Sequence, residues 1–74
     1  MIEEENEFVK MCVEAWKWGV PSVGDRFRFK ASGVGLTVLE LGDYGMRFVV
    51  RLDSGERIRI FWRDLKENAE RENR

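Results

Sequence analysis

The stretch from residue 46 to residue 62 constrains the fold most, because its residues alternate between apolar and polar on both sides of Asp53-Ser54-Gly55. A period of two is the pattern of a strand with two unlike faces. A two-residue loop would set every apolar side chain opposite a charged one, whereas a three-residue loop sets Val50 opposite Ile58. Gly55 then takes the positive φ that such a loop requires. We therefore predict a hairpin with a three-residue loop.

The same register predicts the two faces of this hairpin. On the inner face, Phe48 lies opposite Ile60 and Met46 lies opposite Trp62. The outer face holds three further pairs, which are Arg51 with Arg57, Val49 with Arg59, and Arg47 with Phe61. Like charges directly opposed across a sheet destabilise it by some tenths of a kcal/mol. The opposed arginines therefore indicate that something anionic lies near this face.

Composition limits the classes of protein that the chain can form. With 74 residues, 43% of them hydrophobic and 36% charged, it fits one globular domain over 1–74. The single cysteine, Cys12, excludes an internal disulfide, and the absence of histidine excludes the common zinc sites. No apolar run approaches the ~20 residues that span a membrane. We expect no metal, no cofactor and no membrane partner.

Catalysis and secretion are also not expected. Cys12 falls on an apolar helix stripe, where a buried thiol is usually inert. The carboxylates of Glu3, Glu4, Glu5 and Glu7 lie on a solvated helix start, with nothing apolar nearby to tune their pKa values. The N-terminus lacks the basic start and apolar core of a secretion signal. We predict a non-enzymatic, cytoplasmic protein, and the absence of glutamine and near-absence of proline lean toward a thermophile's composition.

Residues 3–18 have the pattern of an amphipathic helix. The predicted core stripe consists of Phe8, Cys12, Ala15 and Trp16, widened by Val9 and Val13. Gly19 is a natural stop, with Pro21 two residues later. Trp18 does not share the stripe, so we place it at the helix end, under the following loop or against a partner.

Two more strands are predicted before the hairpin, at 25–30 and 36–41, with a four-residue turn at 42–45. We expect Leu41 opposite Met46, which places Leu39, Leu41 and Thr37 on the inner face. The predicted core is Phe27, Phe29, Leu39, Leu41, Met46, Phe48, Val50, Leu52, Ile58, Ile60 and Trp62. An apolar patch is left on the outer face, consisting of Leu36, Val38, Val49 and Phe61. Unless a helix covers it, such a patch is typical of a binding or self-association surface.

After Trp62 the alternation ends. Asp64 and Glu67 have the spacing of a capping box, which predicts a helix from Leu65 to about Arg71. We expect the remaining residues, 72–74, to be frayed.

A family resemblance is carried by short motifs. Val23-Gly24-Asp25 opens the first strand, residues 37–41 form the second, and Asp53-Ser54-Gly55 closes the hairpin. In this arrangement residues 22–65 resemble the SH3-like small-barrel superfamily, of the Tudor and KOW sort. Taken with the predicted helices, this gives an α+β fold with an N-terminal helix (1–19), a strongly bent antiparallel sheet or SH3-like barrel of four to five strands (22–63) and a short C-terminal helical tail (64–74). The resemblance implies binding of nucleic acid or protein, and it assigns a role to no residue.

Charge distribution leaves two hypotheses open. Residues 19–63 carry eight bases and five acids, although the whole chain has a net charge of −1. In the first hypothesis the outer sheet face binds nucleic-acid phosphates, with an aromatic stacking platform. Its residues are Arg26, Arg28, Lys30, Arg47, Arg51, Arg57, Arg59 and Phe61.

In the second hypothesis, acidic helices neutralise that basic face and apolar residues drive protein–protein contact. The predicted partner interface is Trp18, Leu36, Val38, Val49 and Phe61. We also predict self-association, since two-fold dimers are the most frequent oligomers.

Overall fold

The computed structural model describes residues 7–72. Two helices and five strands follow one another as α1 (Glu7–Trp18), β1 (Arg26–Phe29), β2 (Gly35–Gly42), β3 (Arg47–Leu52), β4 (Arg57–Phe61), α2 (Trp62–Asn68) and β5 (Ala69–Arg71). The strands form one antiparallel sheet in the order β4-β3-β2-β1-β5, which does not close into a barrel. The predicted α+β class is thus confirmed, with a helix before the sheet and a short helix near its end.

The central hairpin has the predicted register. Val50 lies opposite Ile58, and Arg51 lies opposite Arg57. The loop contains three residues, because the Leu52 N–H donates to the Glu56 carbonyl at 2.8 Å. Gly55 has a φ of 102°, which only glycine adopts without strain. Local turn geometry therefore accounts for the β3–β4 pairing.

The predicted register between β2 and β3 is wrong. Val38 lies opposite Val50 and Thr37 opposite Arg51, and the pairing shifts between Val38 and Glu40. Leu39 is the extra residue of a β-bulge. The observed register turns Leu36 and Val38 inward, where both are fully buried, and places Thr37 on the outer face. The predicted register would have buried the hydroxyl of Thr37, which costs free energy unless it is hydrogen-bonded.

The bulge changes the core and abolishes the predicted outer apolar patch. Leu36 and Val38 belong to the core, whereas Leu39 is half-buried and Leu41 is 38% exposed. The buried core consists of Cys12, Ala15, Phe27, Leu36, Val38, Met46, Phe48, Val50, Trp62, Leu65 and Ala69. Phe29, Leu52, Ile58 and Ile60, predicted to be inner residues, are partly buried and pack against it.

Fewer residues of helix α1 face the core than predicted. Residues 3–6, which were also predicted to be helical, lie outside the described part. Cys12 and Ala15 are buried, but Trp16 is 57% exposed, so its predicted core position is wrong. Trp18 takes the inner position, with its ring centroid 6.0 Å from that of Trp62. An apolar arc wider than one contact surface leaves part of it exposed, here Phe8, Val9, Val13 and Trp16.

The C-terminal prediction is wrong in three respects. Residue 72, predicted to be frayed, is bonded to β1, because the Glu72 N–H donates to the Arg26 carbonyl at 3.0 Å; residues 73–74 lie outside the described part. Helix α2 begins at Trp62 rather than Leu65, so Asp64 lies inside its first turn instead of capping it. No side-chain hydrogen bond caps the start of the helix. Residues predicted as the last helical turn instead form β5, which pairs with β1 through Arg28 opposite Glu70. Strand β1 needs a second neighbour for its backbone groups, and this non-local pairing overrides the helical pattern.

Candidate nucleic-acid interface

The outer face of the sheet is the surface on which the arginines meet. The observed register aligns Arg57, Arg51, Thr37 and Arg26 in one row across β4, β3, β2 and β1. Helix α1 contacts the turn at 43–45 and α2. Arg51 and Arg57 are exposed on this face. The sequence therefore identified the face, and the bulge decided which β2 side chain belongs to it.

At the β1 end of the row, acidic side chains already neutralise the arginines. Arg26 donates two hydrogen bonds to the Asp53 carboxylate, at 2.8 and 3.0 Å, and a third to Thr37 Oγ1 at 2.8 Å. Its Nε also donates to Glu72 at 3.2 Å, and Arg28 forms an ion pair with the same carboxylate at 2.6 Å. Arg26 and Arg28 therefore have a structural role, because they connect the β3–β4 loop and the residue after β5 to β1.

The Arg26–Asp53 pair alters the acidity of both groups. The hydrogen bonds from Arg26 hold the pKa of Asp53 below its usual value of 3.8. The charges of Arg26, Arg51 and Arg28 lower it further. Hydrogen bonding to Asp53 raises the pKa of Arg26 in turn. Both groups are thus charged at neutral pH.

Gly35 provides the space for this ion pair. A Cβ at position 35 would collide with the Asp53 carboxylate and the Arg26 guanidinium. The Asp53 N–H also donates to the Gly35 carbonyl at 2.9 Å. Close approach of backbone and charged groups is a common reason for glycine within a strand.

Arg47 is partly engaged and covers the predicted aromatic platform. Its Nε lies 2.8 Å from Asp43, and its guanidinium lies 5.7 Å from the centroid of the Phe61 ring. Phe61 is half-buried and contacts Trp62, with ring centroids 6.3 Å apart. The planar surface presented here is therefore that of the Arg47 guanidinium stacked on Phe61. A guanidinium plane also stacks on nucleobases.

The remaining arginines form the open part of the face. Among residues 7–72, no acidic side chain lies within 4 Å of Arg51, Arg57 or Arg59. A concavity of about 250 Å³ opens beside Arg59 and Arg47, and Val49 and the acidic residues Glu40 and Asp43 also line it. Lys30 lies apart from this cluster, in the turn after β1, with two strands between β1 and β4. We name Arg47, Arg51, Arg57 and Arg59 the arginine cluster.

The predicted partner interface does not assemble as one surface. Leu36 and Val38 are core residues, and Trp18 is half-buried and packs against Phe27 and Trp62. Val49 and Phe61 are half-buried beside the arginine cluster. The neutralising acids of the basic face belong to loops and to the segment after β5. In α1, Glu14 instead contacts Arg63 of α2, at 3.2 Å.

The free edge of the sheet borders the arginine cluster. The Trp62 N–H donates to the Met46 carbonyl, and the Leu52 N–H donates to the Glu56 carbonyl. In an antiparallel ladder with this pattern, only every second residue of β4 forms backbone hydrogen bonds with β3. The backbone groups of Arg57, Arg59 and Phe61 therefore point away from the sheet, and no described strand adjoins β4 on that side. An edge of this kind is open to a further extended chain.

Residues 7–72 provide neither a metal site nor a membrane-spanning helix. They contain no group of three or more cysteine and carboxylate side chains placed to hold a metal ion. None of their helices is long and apolar enough to cross a membrane. Comparisons with protein-family models, curated proteins and solved structures found no match for this chain.

Proposed function

We propose that the arginine cluster binds single-stranded nucleic acid without sequence preference. The observation that carries the proposal is the exposure of Arg51, Arg57 and Arg59 on one sheet face, without an ion-pair partner in the described chain. Opposed like charges cost stability in the free protein, and a phosphate between them would remove that cost.

Stacking favours single strands over duplexes. Arg47 on Phe61 offers a flat cationic surface beside the other arginines. Bases of an unpaired strand can leave their own stack and lie on such a surface, whereas bases of a duplex cannot. Guanidinium groups also match the geometry of phosphate oxygens, which accept two parallel hydrogen bonds.

The number of free arginines limits the affinity and its dependence on salt. Each phosphate contact on a single strand contributes a slope of about −0.7 to the plot of log K against log salt concentration. Three contacts, by Arg51, Arg57 and Arg59, therefore predict a slope of about −2. Binding should be clear at low ionic strength and weak at physiological salt.

Fluorescence anisotropy with labelled oligo-dT and oligo-U over a salt series tests the proposal. Arg57→Gln/Arg59→Gln should weaken binding and make the slope shallower by about 1.4. The matched control, Arg63→Gln/Lys66→Gln, removes the same charge from α2 and should leave the slope unchanged. Equal losses in both double variants, or no binding by the unaltered protein at low salt, would refute the proposal.

The free edge of β4 supports a second candidate, which is an acidic extended peptide. Such a chain would pair with the backbone groups of Arg57, Arg59 and Phe61 and place its carboxylates beside the two arginines. Poly-glutamate as competitor in the same anisotropy assay distinguishes the two candidates. The nucleic-acid proposal predicts that labelled oligo-dT binds and resists displacement by poly-glutamate. Binding of labelled poly-glutamate with no binding of oligo-dT favours the peptide.

A further inference from the structure

An exposed apolar surface lies on α1 and the adjoining turn at 43–45. We name it the α1 patch and define it as Val9, Val13, Trp16 and Tyr44. Trp16 is 57% exposed and Tyr44 is 75% exposed, and the two valines are also exposed. Contiguous apolar surface of this kind on a small domain indicates an interaction site.

The fold holds Tyr44 outward instead of folding it over the core. Residues Asp43–Gly45 form a 3₁₀-type turn in which Tyr44 has a φ of 58°, a conformation uncommon for a non-glycine residue. The indole N–H of Trp16 donates to the Tyr44 carbonyl at 3.4 Å. The ring of Phe8 meets that of Tyr44 edge-on, with centroids 5.9 Å apart. The aromatic members of the α1 patch are thus positioned relative to one another by direct contacts.

A row of alternating charge runs along the helix beside the valines. Its members are Glu7, Lys10, Glu14 and Lys17, spaced by three, four and three residues. Residues at these spacings share one face of a helix. When the row is read from its C-terminal end, the charge at each position has the opposite sign to that read from its N-terminal end. A second α1 laid antiparallel therefore opposes Glu7 to Lys17 and Lys10 to Glu14, whereas a parallel α1 opposes like charges.

We propose that the α1 patch binds a second copy of this chain, with the two α1 helices antiparallel about a two-fold axis near residues 12 and 13. The alignment that matches the charges brings the small Val9 of one copy to within one residue of the level of the large Trp16 of the other. Complementary sizes of this kind allow the side chains of two helices to interdigitate. Glu14 is available to the second copy, because its contact with Arg63 is an exposed ion pair of small energy.

The area of the α1 patch is that of a weak, reversible dimer. At about 200 Å² for a whole aromatic side chain, Trp16 and Tyr44 expose about 250 Å² per copy. Two copies would bury about 500 Å² of aromatic surface, to which the valines and the lysine stems add. This aromatic surface is about half of the roughly 1,000 Å² at which specific interfaces begin, which places the contact among weak, transient ones. Dissociation in the micromolar range is therefore expected.

Sedimentation equilibrium from low to high micromolar concentration tests the proposal. The unaltered protein should approach dimer, whereas Val13→Glu, which places two carboxylates near the axis, should remain monomeric at about tenfold higher concentration. Val23→Glu is the matched control, because Val23 is 63% exposed and lies outside the α1 patch. Thermal melting of each variant shows that it is folded. Monomer throughout for the unaltered protein, or equal weakening by Val13→Glu and Val23→Glu, would overturn the proposal.

A charge swap tests the antiparallel orientation. Lys10→Glu alone should weaken the dimer, because it opposes residue 10 of one copy to Glu14 of the other. Lys10→Glu/Glu14→Lys should restore the dimer, because residue 10 of one copy then again opposes a residue 14 of opposite charge in the other. No restoration would refute the antiparallel alignment. Arg57→Gln/Arg59→Gln should leave the dimer unchanged, so failure of the nucleic-acid proposal and failure of this one are separate results.

Discussion

Replacing two leucines of β2 by alanine tests the bulge on which the outer face depends. Leu36 is fully buried opposite Leu52, whereas Leu39 is the unpaired, half-buried residue of the bulge. The two changes remove the same atoms from the same strand. The structure predicts that Leu36→Ala costs far more stability than Leu39→Ala, and the register read from the sequence predicts the reverse.

The magnitudes follow from burial. Removing three buried carbons loses about 2.5 kcal/mol of transfer free energy at about 0.8 kcal/mol each, and a residual cavity at position 36 raises the cost to about 3 kcal/mol or more. Leu39→Ala loses about half of the transfer term and leaves no enclosed cavity, so it should cost about 1 kcal/mol. A 74-residue domain has a total stability of about 4–11 kcal/mol, so the first change removes a large share of it.

Urea unfolding monitored by tryptophan fluorescence measures both values, since Trp18 and Trp62 pack together at the core. The slope of free energy against urea should be similar in the two variants, because the surface exposed on unfolding is nearly the same. In thermal melts, Leu36→Ala should lower Tm by about 15 °C and Leu39→Ala by about 5 °C. A larger loss for Leu39→Ala would mean that Val38, not Thr37, lies beside the arginines.

Three other changes have defined outcomes. Gly55→Val should cost more than about 1 kcal/mol in urea unfolding, because a β-branched residue is strained at a φ of 102°; a loss of a few tenths would contradict the three-residue loop. Asp53→Asn should destabilise the protein at neutral pH. Because the pKa of Asp53 is lowered in the folded state, the unaltered protein should lose its extra stability over the variant as pH falls through that pKa, below about 4. Extra stability that persists in acid would contradict the Arg26 pairing. Ending the chain at Asn68 removes β5 and the Glu72 carboxylate and should lower Tm clearly, whereas an unchanged melt would show that β5 contributes nothing.

The sequence alone determined the features that depend on short-range geometry. The β3–β4 register follows from the three-residue loop, because the loop and the alternation on each side permit one pairing only. The end of α1 follows from Gly19, whose N–H bonds to the Ala15 and Trp16 carbonyls at a φ of 97°. The grouping of Arg51, Arg57 and Arg59 on one face follows from that same hairpin. These features need only neighbouring residues and the period of a strand.

The tertiary structure alone decided everything that requires a distant partner. The bulge at Leu39 exists because burial of Leu36 and Val38 against β3 outweighs a regular ladder. Strand β5 exists because β1 has backbone groups to pair, which no pattern at residues 69–71 reveals. The contacts of Arg26 with Asp53 and Glu72, 27 and 46 residues away, withdraw it from the site. Local patterns specify which side chains share a face, but the competition among distant contacts decides which of them remain free to bind.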